Sequence, residues 1–297
     1  MDKIEYSNEL IKDSKVLHLS TQTTSSQLLN GSYKSKASYD VRGYLNLEND
    51  DSVEYVTLQM PYAVMCNSNY IVNEYNNKLI VTWGGSTNTY TLTQGNYSST
   101  TFITHLYTFL PQASGWTITA NNTTNVFTFS LTSGDFTFGA DSTCDYIIGF
   151  SGAVSSTSKT LTMPRAFNFL PIPRFIIHCN ILNDGIILGT NSNIASSDIL
   201  ASIPNVARNN GQIIYENNAS EFLVRNLSFP LITLSITDDN NRLINFNGIS
   251  SYFVLKFNIF RRYIKKPMQF QSILEHVNKI PYTPISETTE YLGNEEL

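Results

Sequence analysis

An all-β fold of sandwich type is predicted by three observations on the 297-residue sequence. Apolar and polar residues alternate with a period of two along much of the chain, as they do on strands that bury one face. Residues that favour strands dominate, with 17 Tyr and 17 Phe beside many Thr, Ile and Val. Clusters of Asn, Gly and Ser interrupt the runs at short intervals, which suits antiparallel sheets and not a parallel sheet with crossover helices.

The alternation predicts strands at Tyr39–Leu47, Glu54–Tyr62, Lys78–Trp83, Thr117–Ala120, Val126–Leu131 and Asp135–Phe138. A second set is expected at Arg174–Ile181, Gln212–Glu216, Leu231–Thr237, Arg242–Phe246 and Tyr252–Phe260. One helix interrupts them. Ser98-Ser99 offers an N-cap, Phe102, Ile103, Leu106, Phe109 and Leu110 fall on one stripe, and Pro111 ends the run. Short helical turns are expected at Ile194–Ile203 and Met268–Val277.

Texture divides the chain. Residues 1–37 are polar, too short of apolar groups to carry a core, and are expected to form an N-terminal arm. Residues 67–153 have the periodicity of an inserted β–helix–β module, and the Ser/Gly/Thr-rich stretch Ser151–Lys159 reads as the way back out. Residues 38–66 and 154–263 then make one discontinuous sandwich domain. The Pro-broken, Glu-rich residues 264–297 are expected to be a flexible tail.

Composition narrows the function classes. Hydrophobic residues are 41% and charged residues only 14%, which excludes disorder and leaves a surface of Asn, Ser and Thr. The net charge of −5 has the wrong sign for gripping nucleic acid over the whole surface, though it allows a local basic patch. Cys66, Cys144 and Cys179 are far apart and lack metal-ligand spacing, so neither a disulfide framework nor a zinc site is indicated. The opening residues do not read as a secretory signal, and no apolar run is long enough to span a membrane, so a soluble, unsecreted chain is expected.

No constellation of catalytic residues emerges, and no cofactor is expected. His18, His105, His178 and His276 sit in four different textures, and His178 and Cys179 would point to opposite faces of a strand. Asp238-Asp239-Asn240-Asn241 is the densest acidic spot; a hairpin turn between two strands explains it, and a sandwich-fold glycosidase using Asp238 and Asp239 ranks third among the functions considered. Arg261, Arg262, Lys265 and Lys266 form the one basic cluster, either a solvated strand end or a contact for phosphate or an acidic protein. Trp83 and Trp116 are read as core residues first and as sugar-stacking residues second.

The order of segments resembles a known family. Ser32–Asn49, Val53–Cys66 and the Tyr-containing Asn69–Leu79, with its Asn76-Asn77-Lys78-Leu79, resemble the opening of small capsid proteins of eukaryotic double-stranded DNA viruses. Tyr90–Phe109, with Thr93–Ser98 opening the helix, and Ile147–Phe150 resemble the module inserted in such proteins. Ile203-Pro204, Thr237–Gly248 and the strand through Phe260 resemble their closing jelly-roll strands, so the likeness covers about residues 32 to 263.

Within that group the chain is most similar to the penton-type minor capsid protein of virophages and Polinton-lineage viruses. The resemblance implies a jelly roll with an inserted, mainly β module, no enzyme activity, and a homopentamer at icosahedral vertices. It further implies contact with the major capsid protein, residence in the virion, and assembly inside the infected host cell. Arg261, Arg262, Lys265 and Lys266 are the candidates for contact with that partner or with packaged DNA. The alternative is a carbohydrate-binding or host-attachment module, in which Trp83 and Trp116 would stack on a host surface glycan.

Overall fold

The computed structural model describes residues 5–22, 33–45, 47, 50–182, 185–188, 194–224 and 227–265. Strands β1 (Glu5–Ser20), β2 (Lys36–Asp40) and β3 (Val53–Cys66) come first. The chain continues through β4 (Lys78–Trp83), β5 (Ser86–Thr91), helix α1 (Ser99–Leu106), β6 (Trp116–Asn121), β7 (Val126–Leu131) and β8 (Phe136–Phe138). The short helix α2 (Asp145–Ile148), β9 (Val154–Ser155) and β10 (Thr160–Thr162) follow. Next are β11 (Arg174–Cys179), β12 (Gly185–Leu188) paired with β13 (Ile194–Ser197), and β14 (Ile199–Pro204). β15 (Gln212–Glu216), β16 (Phe222–Val224), β17 (Leu231–Thr237) and β18 (Tyr252–Lys265) complete the order.

Two sheets make the sandwich. One runs β1-β18-β3-β15 with β16 also on β3, and the other β14-β11-β17-β2. β15 pairs with Tyr62–Cys66 and β16 with Val56–Leu58, so the two act as one strand interrupted opposite Pro61. Proline has no N–H for the ladder, and β18 shifts register against β3 close by, between Val254 and Lys256. Numbered in chain order, the sandwich strands then read 1-8-3-6 and 2-7-4-5, the double Greek key of a jelly roll. The fold is all-β.

Alternation sets the core. Val56, Leu58 and Met60 of β3 and Phe253, Leu255, Phe257 and Ile259 of β18 face Phe175, Ile177 and Cys179 of β11 and Ile232, Leu234 and Ile236 of β17 in one buried cluster. Burial pushes the Cys179 thiol up to about 12. His178, on the other face, bonds through Nδ1 to Asp198 at 2.7 Å and through Nε2 to Thr237 at 2.8 Å.

A second core lies between β3 and β11 in sequence. The sheets β5-β4-β8-β9 and β10-β7-β6 enclose Phe102, Phe127, Phe129 and Phe138, each fully buried. Helix α1 closes it with Phe102 and Leu106, and its start is held by a reciprocal cap in which Ser98 Oγ accepts from Thr101 N–H and Thr101 Oγ1 accepts from Ser98 N–H.

Several expectations need correction. Ile194–Ile203 is not helical: β14 pairs with β11, and this long-range pairing overrides the local capping signal at Ser196-Ser197-Asp198. Arg242–Phe246 forms no ladder strand; only the bridge from Thr237 to Leu243 remains, although the turn at Asp238–Asn241 forms with Asn241 at φ 59°. The strand expected over Tyr39–Leu47 stops at Asp40, whose carboxylate bonds the Arg42 backbone and guanidinium and turns the chain. Glu5–Ser20, expected within an arm, is an edge strand of the sandwich, because its backbone pairs along β18 while only Leu17 and Leu19 of its described side chains join the core. The module runs past 153: β9 and β10 belong to its sheets, and Met163, Phe167 and Phe169 pack on its core. The helical turn expected at Met268–Val277 and the tail beyond 265 lie outside the described residues.

The return from α2 gives a test. Gly149 has φ +103°, and a Cβ there would lie 2.3 Å from the Arg165 carbonyl oxygen, whereas at Gly152, φ +69°, a Cβ meets nothing within 4 Å. Gly152→Ala is expected to cost ~1 kcal/mol from the left-handed backbone alone. Gly149→Ala adds a backbone clash and is expected to cost more than about 3 kcal/mol, read as the difference in urea midpoints.

Helix α1 gives another. Thr93 N–H donates to His105 Nε2 at 3.0 Å, which places the ring proton on Nδ1, and burial lowers the His105 pKa below 6.5. A depressed folded-state pKa means a contribution that is complete above pH 6.5 and is lost as the pH falls through the lowered value. Melting temperatures from about pH 8 to about pH 5 are expected to fall less for His105→Gln than for the native chain.

Candidate functional site

The sequence-predicted residues separate into three places. Trp116 is 1% exposed and meets Trp83 edge-on at 6.0 Å within the module core, where neither indole N–H has a partner among the described residues. Asp238 and Asp239 lie together on the turn after β17, each held by an arginine: Arg242 grips Asp238 through Nε at 2.8 Å, and Arg174 pairs with Asp239. At the far end of β18, Arg261 bridges Asp13 and Asp50 at 3.2 and 3.0 Å, and Arg262 pairs with Glu54. A Ser52 hydroxyl and the Arg261 guanidinium lower the Asp50 pKa, and Arg262 lowers that of Glu54. Lys265 ends β18, and Lys266 lies outside the described residues.

What composition and spacing did not single out is the junction between module and sandwich. The chain leaves β3 through Asn67, Ser68 and Asn69, all buried. Asn67 Nδ2 donates to the Ala207 carbonyl at 2.8 Å, and Asn67 Oδ1 accepts from Asn205 Nδ2 at 3.0 Å. The same Asn205 amide also donates to the Ile172 carbonyl at 2.8 Å, so one side chain ties the exit from the sandwich to the return. Ser68 Oγ donates to the Phe246 carbonyl at 2.7 Å. Local sequence carries no signal for this clamp beyond a polar run that reads as a turn.

Beside the clamp is a cleft of about 290 Å³, lined from the module side by Tyr70, Ile71, Asn73, Tyr146 and Asn168 and from the sandwich side by Ile172, Pro173, Asp238, Asp239, Asn240 and Arg242, with Leu170 and Pro171 on the connecting chain. The Asp238 turn forms a rigid wall, because its Oδ1 accepts from the backbone N–H groups of Asn240 and Arg242 at 2.9 and 3.0 Å. Arg242 in turn lies over the Tyr75 ring, 4.9 Å from its centroid. Among the described residues no group of His, Cys, Asp and Glu is arranged to hold a metal ion.

No protein-family model matches the sequence, and comparison with curated proteins finds no match. Among solved structures the chain is similar to the mavirus penton protein, at 14% sequence identity, with 85% of this chain and 100% of that chain covered and a TM-score of 0.42.

The sandwich also carries unlike apolar edges. On β1, Leu10, Ile11 and Val16 are exposed; at the opposite edge of the same sheet, Ile214 of β15 and Leu223 of β16 are exposed. Tyr44 and Val206 add isolated exposed side chains in loops.

The clamp makes a stability prediction. Asn67→Ala removes two side-chain hydrogen bonds at a fully buried position and strands the Ala207 carbonyl and part of the Asn205 amide. A loss of roughly 2 to 4 kcal/mol in chemical denaturation is expected, against under about 0.5 kcal/mol for the exposed Asn240→Ala.

Proposed function

We propose that the chain is a structural capsid protein, the vertex subunit of a double-stranded DNA virus of the virophage and Polinton lineage. It would form homopentamers, contact the major capsid protein, and reside in the virion after assembly in the infected cell. The observation that carries this reading is the jelly-roll connectivity combined with unlike apolar edges on one sheet. Viral capsid domains are among the established uses of this fold. Contact between two different edges of identical copies is heterologous, and such contacts close into a ring when the rotation between copies permits.

The order of sequence segments over residues 32 to 263 supports the same reading, and so does a surface poor in charge, since the centres of protein interfaces are depleted of charged residues. Arg261 and Arg262 already hold Asp13, Asp50 and Glu54. We therefore assign Arg261, Arg262, Lys265 and Lys266 to a contact with a neighbouring capsid protein in preference to packaged DNA, whose binding depends on uncompensated positive charge.

Multi-angle light scattering on the full chain is expected to give five times 33.4 kDa. Ile11→Asp and Ile214→Asp, at positions 50% and 57% exposed, are each expected to yield monomers with the melting temperature of the isolated native subunit. A trimer would replace the vertex reading with a hexon-like one, and a monomer at every concentration and salt, together with exclusion from assembled capsids, would overturn it.

A further inference from the structure

We infer that the cleft between module and sandwich is a binding site for a neutral, polyhydroxylated ligand of one or two sugar rings. Its volume of about 290 Å³ stands at the lower bound for small-molecule sites, which suits a ligand of that size. Its charges cancel in pairs, Asp238 with Arg242 and Asp239 with Arg174, so the walls select neither an anion nor a cation.

Hydrogen-bonding capacity is left over at the lining. The Tyr70 hydroxyl and the Asn240 carboxamide make no hydrogen bond among the described residues. Asn168 accepts from Leu170 N–H at 2.9 Å through its side-chain oxygen, and among the described residues its amide protons have no acceptor. The Tyr146 hydroxyl accepts from Asn76 Nδ2 at 2.5 Å and, among the described residues, donates its own proton to no partner. The lining therefore offers both donors and acceptors, beside two aromatic rings and the apolar side chain of Ile172. Vicinal hydroxyls, each both donor and acceptor on a ring with apolar faces, match that arrangement.

A second observation points the same way. A narrow recess of about 20 Å³ adjoins the cleft and shares Tyr70, Asn73, Ile172, Asp238 and Arg242 with it. It is lined by Asn69, 4% exposed, and neither polar atom of that side chain has a partner among the described residues. Leaving both ends of a buried carboxamide unpaired is costly, and because both atoms are closed to solvent, a small outward shift of the recess wall is needed before a ligand hydroxyl can meet them. This site is separate from Trp83 and Trp116, which are consumed by the module core, and it stands whether or not the chain is a vertex subunit.

Saturation-transfer NMR on the full chain with the methyl glycosides of glucose, galactose and mannose and with N-acetylglucosamine tests it. At least one sugar is expected to bind at millimolar concentration, and Asn240→Ala and Tyr70→Phe are each expected to weaken it by about tenfold. Melting temperatures equal to that of the native chain exclude misfolding as the cause of such losses. Absence of transfer to every sugar overturns the inference, as does a sugar that binds both variants as tightly as the native chain. Binding of a peptide spanning residues 267–297 in place of all the sugars overturns the ligand class. The oligomeric mass tests the capsid reading separately, so the two can fail independently.

Discussion

Everything beyond the sandwich depends on how the chain gets out of it. Between its third and fourth strands a jelly roll must cross from one sheet to the other, and here that crossing carries a module with a core of its own. The exit at Asn67–Asn69 is buried, so its side chains are removed from water, and those of Asn67 and Ser68 are paired by protein while that of Asn69 has no partner among the described residues. Asn67, Asn205 and Ser68 supply most of those pairs and in doing so fix the direction in which the module leaves. A flexible apolar connection would bury comparable surface without setting an orientation, because hydrophobic contact is non-directional.

The arginines extend the same logic to the loops. Arg42 holds Asp40 and draws its pKa down to about 2, Arg242 holds Asp238, Arg174 holds Asp239, and Arg261 gathers Asp13 and Asp50. Exposed ion pairs of this kind contribute little stability singly. Their effect is geometric: planar guanidinium groups lock the turns at the ends of the strands. A chain with only 19 basic residues thus commits several of its arginines to its own carboxylates and leaves a surface in which amides and hydroxyls predominate.

The parts of the fold legible in the sequence are those where one face is buried. β4, β7, β15 and β17 fall where alternation puts them, since residues such as Leu79, Phe127, Ile213 and Leu234 must all point inward. β1 escaped because Glu5–Ser20 places so few of its side chains in the core; its strand character comes from a backbone partner about 240 positions away, which local composition cannot register. The turn at Asp238–Asn241 was legible from its own residues, but its role in a cleft was not. The site draws on Tyr70, Tyr146, Asn168 and Asn240, four polar residues ordinary in themselves and brought together only by the packing of two cores.

The side-chain bridge from Asn67 through Asn205 to Ile172 has a consequence for variation. It holds the two ends of the insertion next to each other on the sandwich, which is the geometry that lets a segment be exchanged as a cassette. Replacement of the whole module by another with neighbouring ends would leave the eight-strand register and its edge residues untouched. Substitutions inside the module are therefore answerable to its own core, and substitutions in the sandwich strands to the other.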